Sequence, residues 1–209
     1  MKNFAVVFML VGVIALFSTG TSRATVHTFG FYNITNNDPA DAAIGQEQLF
    51  VDVSDEFVDQ VFFTFRNIGL DSSAITEIYF DDGTLLGIAS IFDNPPDVEF
   101  VLFASPPDLP GAESIDPPFQ TTTGFLAEST PPPPKRGVNP SEQVGILFDL
   151  QQGGTYQNVI NELYNTTLRI GIHVTNFDSG GSESFVNVPE PATMCLLGLG
   201  GLFFLRKRK

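Results

Sequence analysis

Apolar and polar residues alternate along most of the interior of this chain, the period of a strand with one buried face. Val61, Phe63 and Phe65 interleave with Phe62, Thr64 and Arg66. Val144, Ile146, Phe148 and Leu150 line one face of a later segment. Leu168, Ile170, Ile172 and Val174 alternate with Arg169, Gly171, His173 and Thr175. Less regular versions of the pattern predict strands over 27–32, 48–53, 74–80, 84–92, 98–103, 123–128 and 184–188. Between 74–80 and 84–92, Asp81-Asp82-Gly83 is rich in residues that tolerate left-handed backbone, which predicts a hairpin. Asn33 to Ala42 reads as a turn-rich connection.

One segment changes period. Tyr156, Val159, Ile160 and Leu163 recur at helical spacing, and Thr155 stands where a cap belongs, so a helix is predicted over 155–164. Residues 104–123 and 129–143 are proline-rich and must be loops, because proline cannot serve a central strand. Pro131-Pro132-Pro133-Pro134 predicts a polyproline II stretch within the second. Around nine strands with one short helix predict a mainly β fold, an antiparallel β-sandwich with the jelly roll as one available topology.

The two ends break the alternation. Lys2 and Asn3 precede a continuous apolar run from Phe4 to Phe17, followed by Ser18-Thr19-Gly20-Thr21-Ser22-Arg23-Ala24. A charged start, an apolar core and small residues before a cleavage point describe a secretory signal peptide, with signal peptidase expected to cut after Ala24. At the other end, Pro189-Glu190-Pro191 is followed by an apolar run from Met194 to Leu205 and by Arg206-Lys207-Arg208-Lys209. That run reaches about 18 Å as a helix at roughly 1.5 Å per residue, against a hydrocarbon core about 30 Å thick. It is a poor permanent anchor. The four terminal cations act as a stop-transfer signal that stays cytoplasmic, leaving the residues before Pro189 outside.

The tripeptide, short apolar run and basic terminus, in that order, resemble the PEP-CTERM sorting signal of bacterial envelope proteins. The resemblance covers about the last tenth of the chain and implies handling by exosortase, a membrane-embedded cysteine protease-transpeptidase that cleaves near the tripeptide. It implies transient membrane tethering and delivery to the cell surface or extracellular matrix of an exopolysaccharide-producing bacterium, with exopolysaccharide as a possible contact. Prolines flanking Glu190 disfavour helix there, as a recognised peptide requires. The expected organisation is a signal peptide over 1–24, an ectodomain over 25–187 and the sorting segment over 188–209.

Composition limits what the ectodomain does. From residue 25 to 188 the only cations are Arg66, Lys135, Arg136 and Arg169, set against 23 acids, a formal charge of −19. Such a surface repels nucleic acid and anionic lipid. The single cysteine, Cys195, lies in the tail, so the ectodomain's stability must come from its core, in which 16 of the chain's 21 phenylalanines are available. His27 and His173 belong to no metal-binding motif, and there is no G-x-S-x-G elbow or phosphate-binding glycine loop. No catalytic residue and no cofactor are assigned. Asp52, Asp55 and Glu56 with Asp59, then Asp81 and Asp82, and Asp178 with Glu183, are the weak candidates for calcium, which takes six to eight oxygens. The leading expectation is therefore a non-enzymatic structural or adhesive ectodomain. The alternatives are an exported polysaccharide-active enzyme using two carboxylates, or a calcium-dependent carbohydrate- or partner-binding module.

Overall fold

A computed structural model describes residues 24–55, 57–83, 85–94, 97–103, 108–151 and 153–188. The signal segment up to residue 23, Glu56, the tripeptide Pro189-Glu190-Pro191, the apolar run and the basic tail lie outside the described residues. The elements begin with β1 (Val26–Asn33), α1 (Pro39–Gln48), β2 (Leu49–Ser54), β3 (Gln60–Asn67) and β4 (Ala74–Asp81). They continue with β5 (Leu86–Asn94), β6 (Phe100–Phe103), β7 (Leu126–Ser129), α2 (Pro133–Arg136) and β8 (Gln143–Leu150). The last are α3 (Tyr156–Asn165), β9 (Arg169–Thr175) and β10 (Glu183–Val188).

The protein is mainly β, as its alternation predicts. All ten strands join one antiparallel sheet in the order β5-β8-β3-β2-β1-β10-β9-β4-β7-β6. β1 is the pivot: Val26 to Phe29 pair with β2, and Gly30 to Asn33 pair with β10 on the other side. The sheet curls about this strand until its outer strands face each other. Phe80 of β4 meets Phe63 of β3 at 5.3 Å and Phe148 of β8 at 4.7 Å between ring centres, both edge to face. Such aromatic pairs contribute about 0.5–1.5 kcal/mol each beyond their buried area. The curl also brings the terminal strands β5 and β6 together, where the Phe100 amide donates to Asp93 Oδ1 at 3.2 Å. Burial pushes the Asp93 carboxyl up despite that bond.

Three local expectations are corrected. β4 and β5 exist, but they do not form a hairpin: β4 pairs with β9 and β7, and β5 pairs with β8. Asp82 does turn the chain, its carboxylate accepting from the Leu85 and Leu86 amides at 3.1 and 3.0 Å, but β5 then finds its partner in β8 instead of β4. The expectation of one short helix fails because α1 occupies part of the stretch read as turns. Asp38 caps α1 by accepting from the Ala40 amide at 2.7 Å, and Pro39 opens its first turn. Its buried side consists of Asp41, Ala42, Gly45 and Gln48, which lack the apolar stripe that advertises a helix. Finally, Pro133 and Pro134 begin the short helix α2 instead of continuing as polyproline II. The helix α3 matches its prediction: Thr155 caps it reciprocally with Asn158, and Val159, Ile160 and Leu163 are buried.

The long loop after β6 packs onto the outer face of the sheet. Leu109, Ala112 and Phe119 join Tyr79, Leu126 and Val186 in a second small core. Gly171 of β9 makes this close approach possible, because a Cβ there would come within 2.6 Å of Leu109 and 3.1 Å of Phe119.

Candidate functional site

Strand register assembles a transverse polar row on that outer face. Glu128 of β7 stands opposite Glu77 of β4, Glu77 opposite His173 of β9, and His173 opposite Ser184 of β10. His173 Nδ1 lies 3.0 Å from Ser184 Oγ. Burial lowers the His173 pKa, with Glu77 and Glu183 pulling the other way, so the ring is neutral near pH 7. Burial and the facing Glu77 push the Glu128 carboxyl up. The Tyr79 hydroxyl, itself raised by burial, donates to Glu77.

A serine, a histidine and a carboxylate side by side invite comparison with a nucleophilic triad. Ser184 argues against it, being fully buried, with its amide donating to Thr35 Oγ1 and its carbonyl accepting from Ile34. Its hydroxyl has no surface on which to meet a substrate. Single-sequence reasoning missed this row, because it depends on the register of four strands of which only β9 and β10 are neighbours in sequence. The available signal was that Glu77 and His173 both fall at outward positions.

The calcium candidates are dispersed into other work. Asp52 is held by Arg66, with Oδ2 at 2.7 Å from Nε and Oδ1 accepting from Nη2 at 2.9 Å, and it also accepts from Thr28. Asp55 accepts from the Thr25 amide. Asp81 pairs with Arg169, whose guanidinium also donates to the carbonyls of Pro117 and Pro118 and lies over the Phe119 ring. Asp82 caps the turn after β4. Glu183 is fully buried and accepts from Asn33 Nδ2, Thr35 Oγ1 and the Asp38 amide, which ties the β1–α1 connection to β10. Among the described residues, no three His, Cys, Asp or Glu side chains converge to hold a metal ion.

One end of the sheet carries a concavity of about 410 Å³ lined by Asp55, Phe57, Val58, Asp59, Leu150 and Tyr156. The Tyr156 hydroxyl donates to the Val53 carbonyl at 2.9 Å and lies 2.8 Å from His27 Nδ1. Burial, reinforced by Asp55, pushes Tyr156 up to about 12, so it stays protonated and is no base. A second concavity of about 520 Å³, lined in part by Asp108, Glu113, Phe119 and Gln120, lies against the loop after β6. Neither combines a free nucleophile with a perturbed base.

β10 brings the chain to its remaining feature. Its last residue, Val188, pairs with Gly30, and Pro189 follows directly. Residues 187–209 match the PEP-CTERM protein-sorting motif. No curated protein and no solved structure matches the chain. The PEP-CTERM segment implies export, a membrane-anchored sorting stage and processing by exosortase. Its match begins inside β10, so the folded body and the PEP-CTERM signal meet with no linker between them. No helix among the described residues is long and apolar enough to cross a membrane.

Proposed function

We propose that this is an exported, exosortase-sorted protein whose ectodomain has a structural or adhesive, non-catalytic role at the cell surface or in the extracellular matrix. The observation that carries the reading is the PEP-CTERM match, which begins at the end of the last strand. The signal peptide ends at Ala24, the ectodomain runs over 25–187, and signal peptidase, exosortase and exopolysaccharide are its partners. The non-catalytic reading is supported by Ser184, buried beneath its histidine, and by acids engaged with Arg66, Arg169 and backbone amides. A sandwich-like two-layer body is supported by Phe80 meeting Phe63 and Phe148 across the curl. Such a body, acidic and without disulfides, stays soluble when exported and presents broad faces for assembly.

Intact mass of the protein from cells with and without the sorting protease tests this reading. A mature mass ending between Pro189 and Thr193, seen only when the protease is present, is expected. A mass that still includes Lys209 in both backgrounds overturns it.

A further inference from the structure

β10 runs antiparallel to β1, so its C-terminal end points toward the N-terminal end of β1. The PEP-CTERM segment leaves from Val188, opposite Gly30, and the leader joins β1 just before Val26, about 13 Å further along at roughly 3.3 Å per residue. Both apolar ends of the chain therefore emerge toward one rim of the sheet. That rim also carries the end of β2, since Val26 pairs with Ser54, and the loop that follows it. Here Val58 is 89% exposed, Val26 53% and Phe57 46%, an apolar tip set between acidic residues.

From Val188 to Met194 is six residues, a reach of at most about 21 Å. With the apolar run in a bilayer, the tether holds the rim within about 21 Å of the hydrocarbon edge, within reach of a polar interface about 5–8 Å thick on each face. We propose that the Val26–Phe57–Val58 rim rests on the lipid surface and orients the tethered ectodomain, with Phe57 and Val58 entering the interface. This rests on the sorting reading above. Asp55 and Asp59 flank the tip, and Glu56 lies between them in sequence, so the surface it fits is electrically neutral lipid. The opposite end of the sheet, where Gly111 approaches Thr35 and Glu113 is exposed, faces away.

The test uses the full-length chain in a Cys195→Ser background, reconstituted into phosphatidylcholine vesicles. An environment-sensitive dye is placed at Val58→Cys or at Glu113→Cys, and lipid-borne nitroxide is the quencher. Flotation with the vesicles, blue-shifted and quenched emission at position 58, and solvent-like emission at 113 are expected. Replacing part of the lipid with phosphatidylglycerol weakens the signal at 58. Flotation with both dyes equally solvent-like, or equally quenched, overturns the oriented rim while leaving the anchor intact. A blue shift at 58 that lipid nitroxide does not quench assigns the tip to a second copy of the chain and overturns the proposal. Failure to float removes the anchor itself, and the proposal with it.

Discussion

Glu183 Oε2 accepts a 2.8 Å hydrogen bond from Asn33 Nδ2, joining residues 150 positions apart at the start of β10 and the end of β1. Burial alone would push this carboxyl up; the bonds from Thr35, Asn33 and the Asp38 and Asn37 amides outweigh it and hold the pKa below 4.5. Glu183→Gln puts a donor where the Asp38 amide needs an acceptor and is expected to cost on the order of 2 kcal/mol at pH 7. The sign of the pH dependence follows from linkage. A folded pKa below the unfolded one means that the stabilisation is present above about 4.5 and is lost as pH falls through the folded value. Urea titrations from pH 7 to 3 should therefore show wild type and Glu183→Gln converging at the acid end. A constant gap would show that the charge is not what Glu183 contributes.

Glu128 makes the opposite prediction. It faces Glu77 directly across β4 and β7, and its pKa is raised by burial and by that like charge. A raised folded pKa means its ionised form opposes folding at neutral pH and the penalty disappears as pH falls. Glu128→Gln is expected to stabilise by about 0.5 kcal/mol at pH 7 and by nothing near pH 3. Thermal melts at the two pH values read this directly, and destabilisation at pH 7 would contradict it.

These two residues also mark how far the chain can be read without coordinates. β3, β8, β9 and α3 announce themselves because their buried residues are large and strictly periodic, so local spacing and final packing agree. α1 is hidden because what it buries is small or polar: Ala42 and Gly45 with Asp41 and Gln48, and at Gly45 a Cβ would meet the Phe185 ring at 2.1 Å. The β4–β5 hairpin misleads for a different reason. Asp81-Asp82-Gly83 is good turn chemistry, but a turn reverses the chain without deciding whether the next strand pairs locally or crosses the core. The polar row from Glu128 to Ser184 and the buried anchorage of Glu183 depend on register between distant strands, which no local pattern encodes. The sorting signal is legible because its tripeptide, apolar run and basic end are contiguous.

The central aromatic cluster sets the stability of the curl. Phe80 is 1% exposed and touches Phe63, Phe65 and Phe148. Phe80→Ala is expected to cost about 3–5 kcal/mol, while Phe80→Leu, which keeps most of the volume, costs less. Denaturant midpoints of the two variants test this. Equal losses would mean that edge contacts rather than filled volume hold the halves together.

Chelation should leave the fold untouched. Asp52 and Asp81 are neutralised by Arg66 and Arg169, and Asp82 is engaged by two amides. Adding EDTA is expected to leave Tm unchanged, whereas Asp52→Ala, which strands Arg66 at a half-buried position, lowers stability by about 1 kcal/mol. A calcium-dependent rise in Tm would return the acidic clusters to consideration as a binding site.

Pro189-Glu190-Pro191→Ala-Ala-Ala separates sorting from folding. The replacement begins one residue beyond Val188, so among the described residues it removes no strand pairing and no core side chain. Tm of the exported body should therefore match wild type. The tripeptide is also the part of the PEP-CTERM segment that resists helix, because each proline fixes its own φ and restricts the residue before it. Alanines remove that restriction, and the variant is expected to remain membrane-retained and uncleaved, with Lys209 still present by intact mass. Normal processing of the triple-alanine chain would show that the apolar run and basic tail suffice and would remove the tripeptide from the recognised signal. Lost processing together with a lowered Tm would instead place residues 189–191 within the fold.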